Sequence, residues 1–162
     1  MPVELVWGTG TATTELGAFD AALSEANVHN YNLVELSSIV PEGATVDCVG
    51  ELEPGRWTTG DLVAAVLASN TSTESGDRIA AGLGWELADE GGVFMENEAP
   101  TVDACEELLE ANLADARRLR DWNWTGERGT QVVDHVVEDE AGAAVVAAVF
   151  HPISAGHRAD DR

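Results

Sequence analysis

The sequence predicts a domain of the α+β class, built from strands and at least two helices. Apolar residues make up 44% of the 162 residues and recur along the whole chain, which is enough for a buried core. Two segments show the three- and four-residue apolar spacing of helices, and several short apolar runs end at glycine, proline or polar turns, as strands do. Neither an internal repeat nor a linker composition interrupts the chain, so residues 1–162 are interpreted as a single domain.

The first part of the chain predicts a strand, a helix and a second strand. Val3–Trp7 predicts a short strand, and the polar stretch GTGTATT after it predicts a turn. Thr14 precedes a helical pattern. Its apolar face comprises Leu16, Phe19, Leu23 and Ala26. Tyr31–Val40 then predicts a strand that ends at Pro41.

The rest of the chain, after a loop-rich stretch, predicts four strands and a long helix. Leu62–Ala68 is compatible with a strand or a helix, and the turn residues close on both sides favour a strand. Arg78–Leu87 predicts a strand, and the glycines inside it indicate close approach of another backbone or a ligand. Residues 100–120 predict the clearest helix. Its buried face comprises Cys105, Leu108, Leu109, Leu113, Ala116 and Leu119. Val132–Val137 and Ala143–Phe150 predict a final hairpin, and we expect the tail after Pro152 to be frayed.

The charge of the chain excludes one class of partner. Thirty acidic residues face eight basic ones, a net charge of −22, whereas nucleic-acid binding requires a basic footprint. The acids are dispersed, and their mutual repulsion is relieved where salt screens it, so the composition indicates a salt-loving cytoplasm. We expect a cytoplasmic protein without a membrane partner, because the longest apolar runs fall below the roughly 20 residues of a membrane span and the start lacks a signal-peptide pattern.

The absence of lysine excludes further mechanisms. All eight basic residues are arginines. Lysine forms Schiff bases with carbonyl substrates, holds pyridoxal phosphate and completes the P-loop signature. The sequence therefore excludes pyridoxal phosphate chemistry and a P-loop nucleotide site for this chain acting alone.

The cysteines and histidines do not form metal-binding patterns. Cys48 and Cys105 are too few for a disulfide framework, and we interpret them as semi-buried thiols. The histidines lack the paired spacing that suits a metal, so we expect structural or surface roles and no metal site. They are His29, His135, His151 and His157.

A Ser-Ser pair, Ser37 and Ser38, stands in the segment NLVELSSIVPEG. Alone, such a pair indicates only the end of a strand. Here it follows an apolar strand and precedes Pro41, and Asn32 lies six residues before Ser38. Because side chains alternate across a strand, we expect Asn32 and Ser38 to share one face of a sheet.

Three pieces of the chain carry a resemblance: ELGAFDAALSEANVHNYNLVELSSIVPEG, then GLGWE at Gly82–Glu86, and DHVVEDEAGAAVVAAVF near the end. Through these pieces, and from Leu5 to about Phe150, the chain resembles the archaeal pyruvoyl-dependent arginine decarboxylases. The resemblance implies a four-layer αββα sandwich of the pyruvoyl-dependent decarboxylase type. It also implies a homo-oligomer, a trimer of cleaved protomers with sites between subunits.

The resemblance further implies that the chain cuts itself between Ser37 and Ser38. The Ser38 hydroxyl would attack the Ser37 carbonyl, and Asn32 resembles the family residue that assists processing, its amide donating to the oxyanion. Elimination and hydrolysis would convert Ser38 into a pyruvoyl cofactor, which takes the place of pyridoxal phosphate. The products would be a beta chain, residues 1–37, and an alpha chain, residues 38–162.

Three further residues receive roles from the resemblance. Glu86 resembles the family's proton donor to the carbon that loses CO2, and its apolar neighbours in sequence suit a general acid. Asp20 matches the position that receives the guanidinium of arginine, where a bidentate pairing can form. Leu16, one turn earlier, would line the aliphatic part of the substrate. In a trimer, Asp20 would serve the Ser38 of a neighbouring subunit.

The function that the resemblance implies is decarboxylation of L-arginine to agmatine and CO2. One alternative is the same pyruvoyl chemistry on another amino acid, such as histidine or ornithine. A second alternative, of a different class, is an unprocessed, non-catalytic acidic assembly protein.

Overall fold

The computed structural model of the chain describes residues 2–153, which form nine strands and two helices. Both helices begin at a threonine whose hydroxyl accepts from a backbone N–H in the first turn, as Thr14 does from Gly17 N at 3.1 Å. In chain order the elements are β1 (Pro2–Ala12), α1 (Glu15–Glu25), β2 (Asn32–Glu35), β3 (Ile39–Val40), β4 (Thr45–Gly50), β5 (Leu62–Ser72), β6 (Arg78–Ala88), β7 (Gly91–Ala99), α2 (Val102–Arg118), β8 (Trp124–Val136) and β9 (Ala141–Pro152).

The strands form two sheets. The five-stranded sheet has the order β2-β5-β9-β1-β4, with β1–β4 and β2–β5 parallel and β9 antiparallel to both of its neighbours. The four-stranded sheet has the order β3-β7-β6-β8 and is antiparallel throughout. The short strands β2 and β3 are consecutive in the chain but belong to different sheets, so the segment between them passes from one sheet to the other.

The two sheets pack face to face, and each carries one helix on its outer side. The inter-sheet core joins residues of β1, β5 and β9 to residues of β6 and β7, including Leu5, Val146, Leu83 and Phe94. On β9 alternate residues face opposite ways: Ala144, Val146 and Ala148 enter this core, and the residues between them pack under α1. The predicted four-layer αββα sandwich is confirmed.

The helices lie close to the strands because small residues stand beneath them. A Cβ built on Gly8 would lie 2.3 Å from the carbonyl oxygen of Ala22 in α1, so no larger residue fits at this position of β1. On the other side, a Cβ on Gly82 would lie 3.2 Å from Leu109 Cδ1 of α2. The glycines of β6 therefore mark the close approach of side chains from α2.

Several sequence predictions of local structure differ from the fold. The GTGTATT turn is wrong, because β1 continues to Ala12 by pairing with β9. The terminal hairpin is wrong, because β8 and β9 lie in different sheets. Leu119 is 81% exposed, so the buried face of α2 ends at Ala116. Strand β7, absent from the sequence prediction, occupies the centre of the four-stranded sheet beside β6.

Neither helix among residues 2–153 is long and apolar enough to cross a membrane. Cys48 is exposed and Cys105 is buried. The expectation of a frayed tail concerns residues 154–162, which lie outside the described part of the chain.

Candidate active site

The Ser37–Ser38 peptide bond lies where the chain passes between the two sheets. Just before it, Leu36 N donates to Ala65 O of the five-stranded sheet at 2.9 Å. Just after it, Ser38 O accepts from Phe94 N of the four-stranded sheet at 2.8 Å. Each end of the crossing is therefore attached to a different sheet, and the Ser37–Ser38 bond lies between the two attachments.

The crossing overturns the prediction of one continuous strand over Tyr31–Val40. Strand β2 ends at Glu35, and β3 begins at Ile39 in the other sheet. The alternation of side chains that begins at Asn32 does not extend to Ser38, because alternation holds only within a continuous strand. The expectation that Asn32 and Ser38 share a sheet face is therefore wrong.

The backbone of Ser38 is strained. Its φ is 72°, in the left-handed region that residues other than glycine adopt at a cost on the order of 1–3 kcal/mol. Among the described residues other than glycine, Asn27 is the second with positive φ, and asparagine tolerates that conformation through its short polar side chain. Serine lacks this tolerance, so the fold concentrates backbone strain at the Ser37–Ser38 bond.

The side chain of Ser38 contacts a carboxylate. Ser38 Oγ donates to Glu96 Oε2 at 2.9 Å. Glu96 lies on β7, two residues after Phe94, so it faces the same side of the sheet as the inter-sheet core and lies where that face opens to solvent. A carboxylate at this distance can accept the proton of the hydroxyl and can later return one to a nearby atom.

Glu86, the residue that sequence reasoning singled out as proton donor, lies on the other face of the same sheet. It is 1% exposed and accepts a hydrogen bond from Arg117 of α2. Its partner across the β6–β7 ladder is Val93, whose side chain packs against Leu113 and Ala116 of α2. The proton-donor assignment to Glu86 is corrected, because side chains on opposite faces of a sheet cannot meet; Glu96 occupies the position beside Ser38.

Asn32 lies in β2 and already makes a hydrogen bond. Its Nδ2 donates to Gly60 O at 2.8 Å, which ties the loop before β5 to the start of β2. No hydrogen bond joins Asn32 to Ser37 or Ser38 among residues 2–153. An amide carries two N–H groups, so one donor of Asn32 is still available to a group beside the strand.

Three neighbouring cavities share lining residues along this side of the molecule, and together they are called the groove. The first, about 350 Å³, opens beside the Ser38–Glu96 contact. The second, about 290 Å³, shares Glu35 and Leu67 with the first. The third, about 540 Å³, shares Phe19, Leu23 and Tyr31 with the second. Asn32 lines the second cavity.

The far end of the groove contains the two residues predicted to hold the substrate. Asp20 and Leu16 lie one turn apart on α1 and both line the third cavity. Leu16 is 77% exposed and does not join the buried face of the helix, contrary to the apolar pattern of α1. The structure thus brings Asp20 and Leu16 together in one cavity, and Ser38 is not among the residues that line it.

The groove is acidic at both ends and apolar between them. Glu35, Glu96 and Glu98 line the first cavity, Asp20 lines the third, and arginine is absent from all three linings in the described part of the chain. The walls between these ends are mainly hydrocarbon or aromatic. They comprise Phe19, Leu23, Tyr31, Leu33 and Leu67. Such a groove suits an aliphatic chain that carries positive charge. No group of three His, Cys, Asp or Glu residues within 2–153 is arranged to hold a metal.

Sequence reasoning missed Glu35 and Glu96. The sequence around Glu96 gives no alternation signal, because VFMENE consists of three apolar residues followed by three polar ones. The sequence does not say that β3 pairs with β7, and this pairing is what brings Glu96 to Ser38.

Comparison with known proteins gives the same family that the sequence resembled. The family model described as pyruvoyl-dependent arginine decarboxylase matches residues 3–155. A protein of that name from Halobacterium salinarum is 34% identical over 149 residues, which cover 90% of this chain and 92% of the relative.

Two further archaeal relatives carry the same name. The protein from Thermococcus sibiricus is 32% identical over 151 residues, covering 91% of this chain and 93% of the relative. The protein from Methanopyrus kandleri is 35% identical over 153 residues, covering 90% and 93%. In each pair the similarity extends over nearly the full length of both proteins.

Proposed function

The chain belongs to the pyruvoyl-dependent arginine decarboxylase family, and from this premise we propose that it decarboxylates L-arginine to agmatine after cutting itself between Ser37 and Ser38. The observation that carries the proposal is Ser38 itself, which has a strained backbone and a hydroxyl bonded to Glu96. The 1–162 chain is then a proenzyme, which yields a beta chain of residues 1–37 and an alpha chain of residues 38–162.

The cut begins when Ser38 Oγ attacks the carbonyl carbon of Ser37. The Oγ–C bond forms, the C–N bond breaks and the hydroxyl proton passes through a base to the Ser38 nitrogen, so the amide becomes an ester with a free amine. Glu96 Oε2, 2.9 Å from Oγ, is the base that takes this proton. An amide is more stable than an ester, and release of the strain at Ser38 favours the exchange by about 1–3 kcal/mol.

The second stage releases the chain that ends at Ser37 and converts Ser38 into the pyruvoyl group. Loss of the Ser38 α-proton breaks the Cβ–Oγ bond, so Oγ leaves as part of the Ser37 carboxylate and a dehydroalanine remains. The dehydroalanine then takes up water and releases ammonia, which leaves a pyruvoyl group.

The free N–H of Asn32 is the proposed donor to the oxyanion of the first stage. This role requires movement of the crossing segment toward β2.

The residues around Ser38 fit the pyruvoyl group that the family uses. Glu96 lies within hydrogen-bond distance of the Ser38 side chain, and a cavity of about 350 Å³ opens beside the pair. When formed, the group supplies a carbonyl that holds the substrate amine and accepts the electrons released with CO2. Glu96 Oε2 is the proposed atom that holds the proton for the carbon that loses CO2.

The groove gives the proposed basis for substrate choice. Asp20 receives the guanidinium, Leu16 contacts the methylene groups near it, and the apolar walls exclude water along the chain. Asp20 is proposed to favour arginine over histidine, because histidine lacks the guanidinium with which a carboxylate forms a bidentate pair.

We further propose a trimer of cleaved protomers with sites between subunits, in which Asp20 serves the Ser38 of a neighbouring protomer. Leu16, Leu36 and Ile39 are exposed beside the groove and the crossing segment. Exposed apolar residues grouped in this way favour coverage by another subunit. Sedimentation analysis of the purified protein measures the assembly directly.

One experiment tests the cut and the substrate together. Intact-mass measurement of the purified chain should show two fragments, the longer one lighter by one ammonia than a fragment that begins with intact Ser38. The same sample should release CO2 and form agmatine from arginine. Ser38→Ala should give a single uncut chain without activity.

Each alternative predicts a different result. Two fragments that release CO2 from ornithine or histidine, but leave arginine unchanged, would overturn the substrate while keeping the mechanism. A single uncut band from the unaltered sequence supports the non-catalytic assembly protein. Persistent cutting of Ser38→Ala at the same bond would show that the proposed cleavage mechanism is wrong.

A further inference from the structure

Helix α2 has one long uncovered face on the outside of the four-stranded sheet. Its buried residues point inward onto the sheet, and Glu107, Ala111, Ala114 and Arg118 are all exposed on the opposite side. These four residues are spaced by four, three and four positions, so they lie within about 60° of one another around the helix axis. They define the outer face of α2, which no other segment among residues 2–153 covers.

The two ends of this helix carry opposite charge. The first half lines a surface cavity of about 460 Å³ with four carboxylates, those of Asp103, Glu106, Glu107 and Glu110. The other end carries three of the eight basic residues of the chain, Arg117, Arg118 and Arg120. A net charge of −22 makes two copies of the chain repel each other over most of their surfaces. Contact between copies is therefore favoured where opposite local charges meet.

Arg118 is the cation of the outer face, and it is available to a second chain. It pairs with Asp115 of the same helix, and both side chains are largely exposed. An exposed i,i+3 pair contributes little free energy, so Arg118 can turn to another carboxylate at small cost. Arg117, by contrast, is paired with the buried Glu86.

The outer face is complementary to itself. Because its spacing is the same in both directions, a second copy in antiparallel orientation places Glu107 opposite Arg118 and Ala111 opposite Ala114. One ion pair then forms at each end of the contact. The alanines lie at the centre, where small side chains allow two helix axes to approach to about 8 Å.

Two exposed leucines lie along one side of the outer face. Leu108 and Leu119 are eleven positions apart, which is close to three full turns, so they share that side of the helix. The antiparallel arrangement places Leu108 of one copy beside Leu119 of the other. Both leucines therefore lose contact with water when the two copies meet.

We propose that two copies of the chain associate through the outer face of α2, in antiparallel orientation and related by a two-fold axis. The interface is separate from the groove, whose lining includes no residue of α2. It doubles the particle that the rest of the surface forms, whether that is a single chain or a trimer. One helix face is a small interface, so the association is weak and depends on protein concentration.

Sedimentation analysis of the full-length chain over a wide range of concentrations tests this interface. The mass of the unaltered particle should double as concentration rises. Arg118→Glu brings two carboxylates together at each end of the contact, and Glu107→Arg brings two cations together. Each change should weaken the association by about tenfold or more. Both changes in one chain should restore it, because the two ion pairs are then only reversed.

Two control variants separate a specific contact from a general effect of charge. Arg56→Glu makes the same charge change beside the five-stranded sheet, where Arg56 pairs with Glu4, and it should leave the doubling unchanged. Ala114→Gln keeps the charge and suits a helix but adds bulk at the centre of the contact, so it should weaken the association. Circular dichroism shows whether each variant is folded.

The inference is wrong if the mass of the unaltered particle stays constant over the concentration range. It is also wrong if Arg118→Glu and Arg56→Glu have equal effects, or if the folded double variant does not recover the association. None of these results depends on cutting at Ser38 or on decarboxylation, so the interface and the proposed function can fail separately.

Discussion

Glu86 and Glu96 lie on neighbouring strands of one sheet, and the structure gives them opposite surroundings. Glu86 faces outward beneath α2, is 1% exposed and pairs with Arg117, whose side chain is 46% exposed. Glu96 faces the other way, is exposed at the edge of the inter-sheet core and pairs with the hydroxyl of Ser38. A buried carboxylate held by a cation stabilises a fold, whereas an accessible carboxylate beside a hydroxyl can move a proton. The comparison teaches that burial and partner, and not residue type or sequence neighbours, separate a structural glutamate from a chemical one.

The largest expected effect comes from replacing the two glutamates in turn. Glu96→Gln removes the group that takes the proton of Ser38 Oγ and later holds one, so cutting should slow and decarboxylation per cut chain should fall by about 100-fold or more. Glu86→Gln should leave the rate per folded, cut chain close to that of the unaltered enzyme. CO2 release, normalised to the cut fraction on a denaturing gel, measures both. If Glu86→Gln loses activity and Glu96→Gln keeps it, the roles assigned to the two glutamates are wrong.

The next effect concerns the stability that the buried pair provides. Arg117→Met leaves the carboxylate of Glu86 buried without its cation, which should lower the free energy of unfolding by about 3 kcal/mol. Denaturant unfolding measures the change. Arg118→Met, one residue further along, removes a cation from an exposed i,i+3 pair with Asp115, and it should cost well under about 1 kcal/mol. Equal losses in the two variants would contradict the buried role of Glu86.

A smaller loss of stability is expected when Glu86, and not Arg117, is replaced. Glu86→Gln should cost about 1 kcal/mol, because Arg117 is half exposed and keeps its contact with water, while the glutamine can still accept a hydrogen bond. The double variant Glu86→Gln/Arg117→Met should then be more stable than Arg117→Met alone. A double-mutant cycle measures this coupling, and additive losses would show that the two side chains do not interact.

The smallest effect is a change in thiol reactivity that reports how firmly α2 is docked. Burial and the neighbouring Glu106 raise the pKa of the Cys105 thiol, and partial burial with Asp47 raises the pKa of the Cys48 thiol. A raised pKa means less thiolate at a given pH, so both should label more slowly than an ordinary cysteine near neutral pH and faster as pH rises. Because Cys48 is exposed, it should label first.

Arg117→Met should accelerate labelling of Cys105 and leave Cys48 unchanged, because it loosens α2 alone. Mass spectrometry of the two labelled peptides separates the thiols. Unchanged Cys105 labelling in that variant would show that the Glu86–Arg117 pair does not hold the helix.

Much of the architecture could be predicted because it depends on local pattern. The three- and four-residue apolar spacing placed both helices, and β5 and β6 follow from apolar runs between turns. The errors occur where pairing with a distant segment decides the local secondary structure. GTGTATT continues as a strand because β9 pairs with it as far as Ala12. The small residues of this stretch allow α1 to pack close to the strand.

The residues of the candidate site also fall into two groups, those that the sequence predicted and those that only the fold places there. Ser37, Ser38, Asn32, Asp20 and Leu16 were named from residues that match a family, and the structure places Leu16 and Asp20 in one cavity. Glu35 and Glu96 were missed, since each gains its position from a cavity or a strand pairing that joins distant parts of the chain.

By itself, the sequence determined the fold class, the family and the Ser-Ser pair, because composition, periodicity and motif spacing are properties of the chain alone. Only the tertiary structure decided which glutamate meets Ser38. Glu86 and Glu96 stand on paired antiparallel strands, and the sequence contains no local signal for which face of each strand meets α2. The packing of α2 over β6 buried Glu86, and the pairing of β3 with β7 placed Glu96 beside the strained Ser38. These are contacts between distant segments, and their free energies depend on the whole fold.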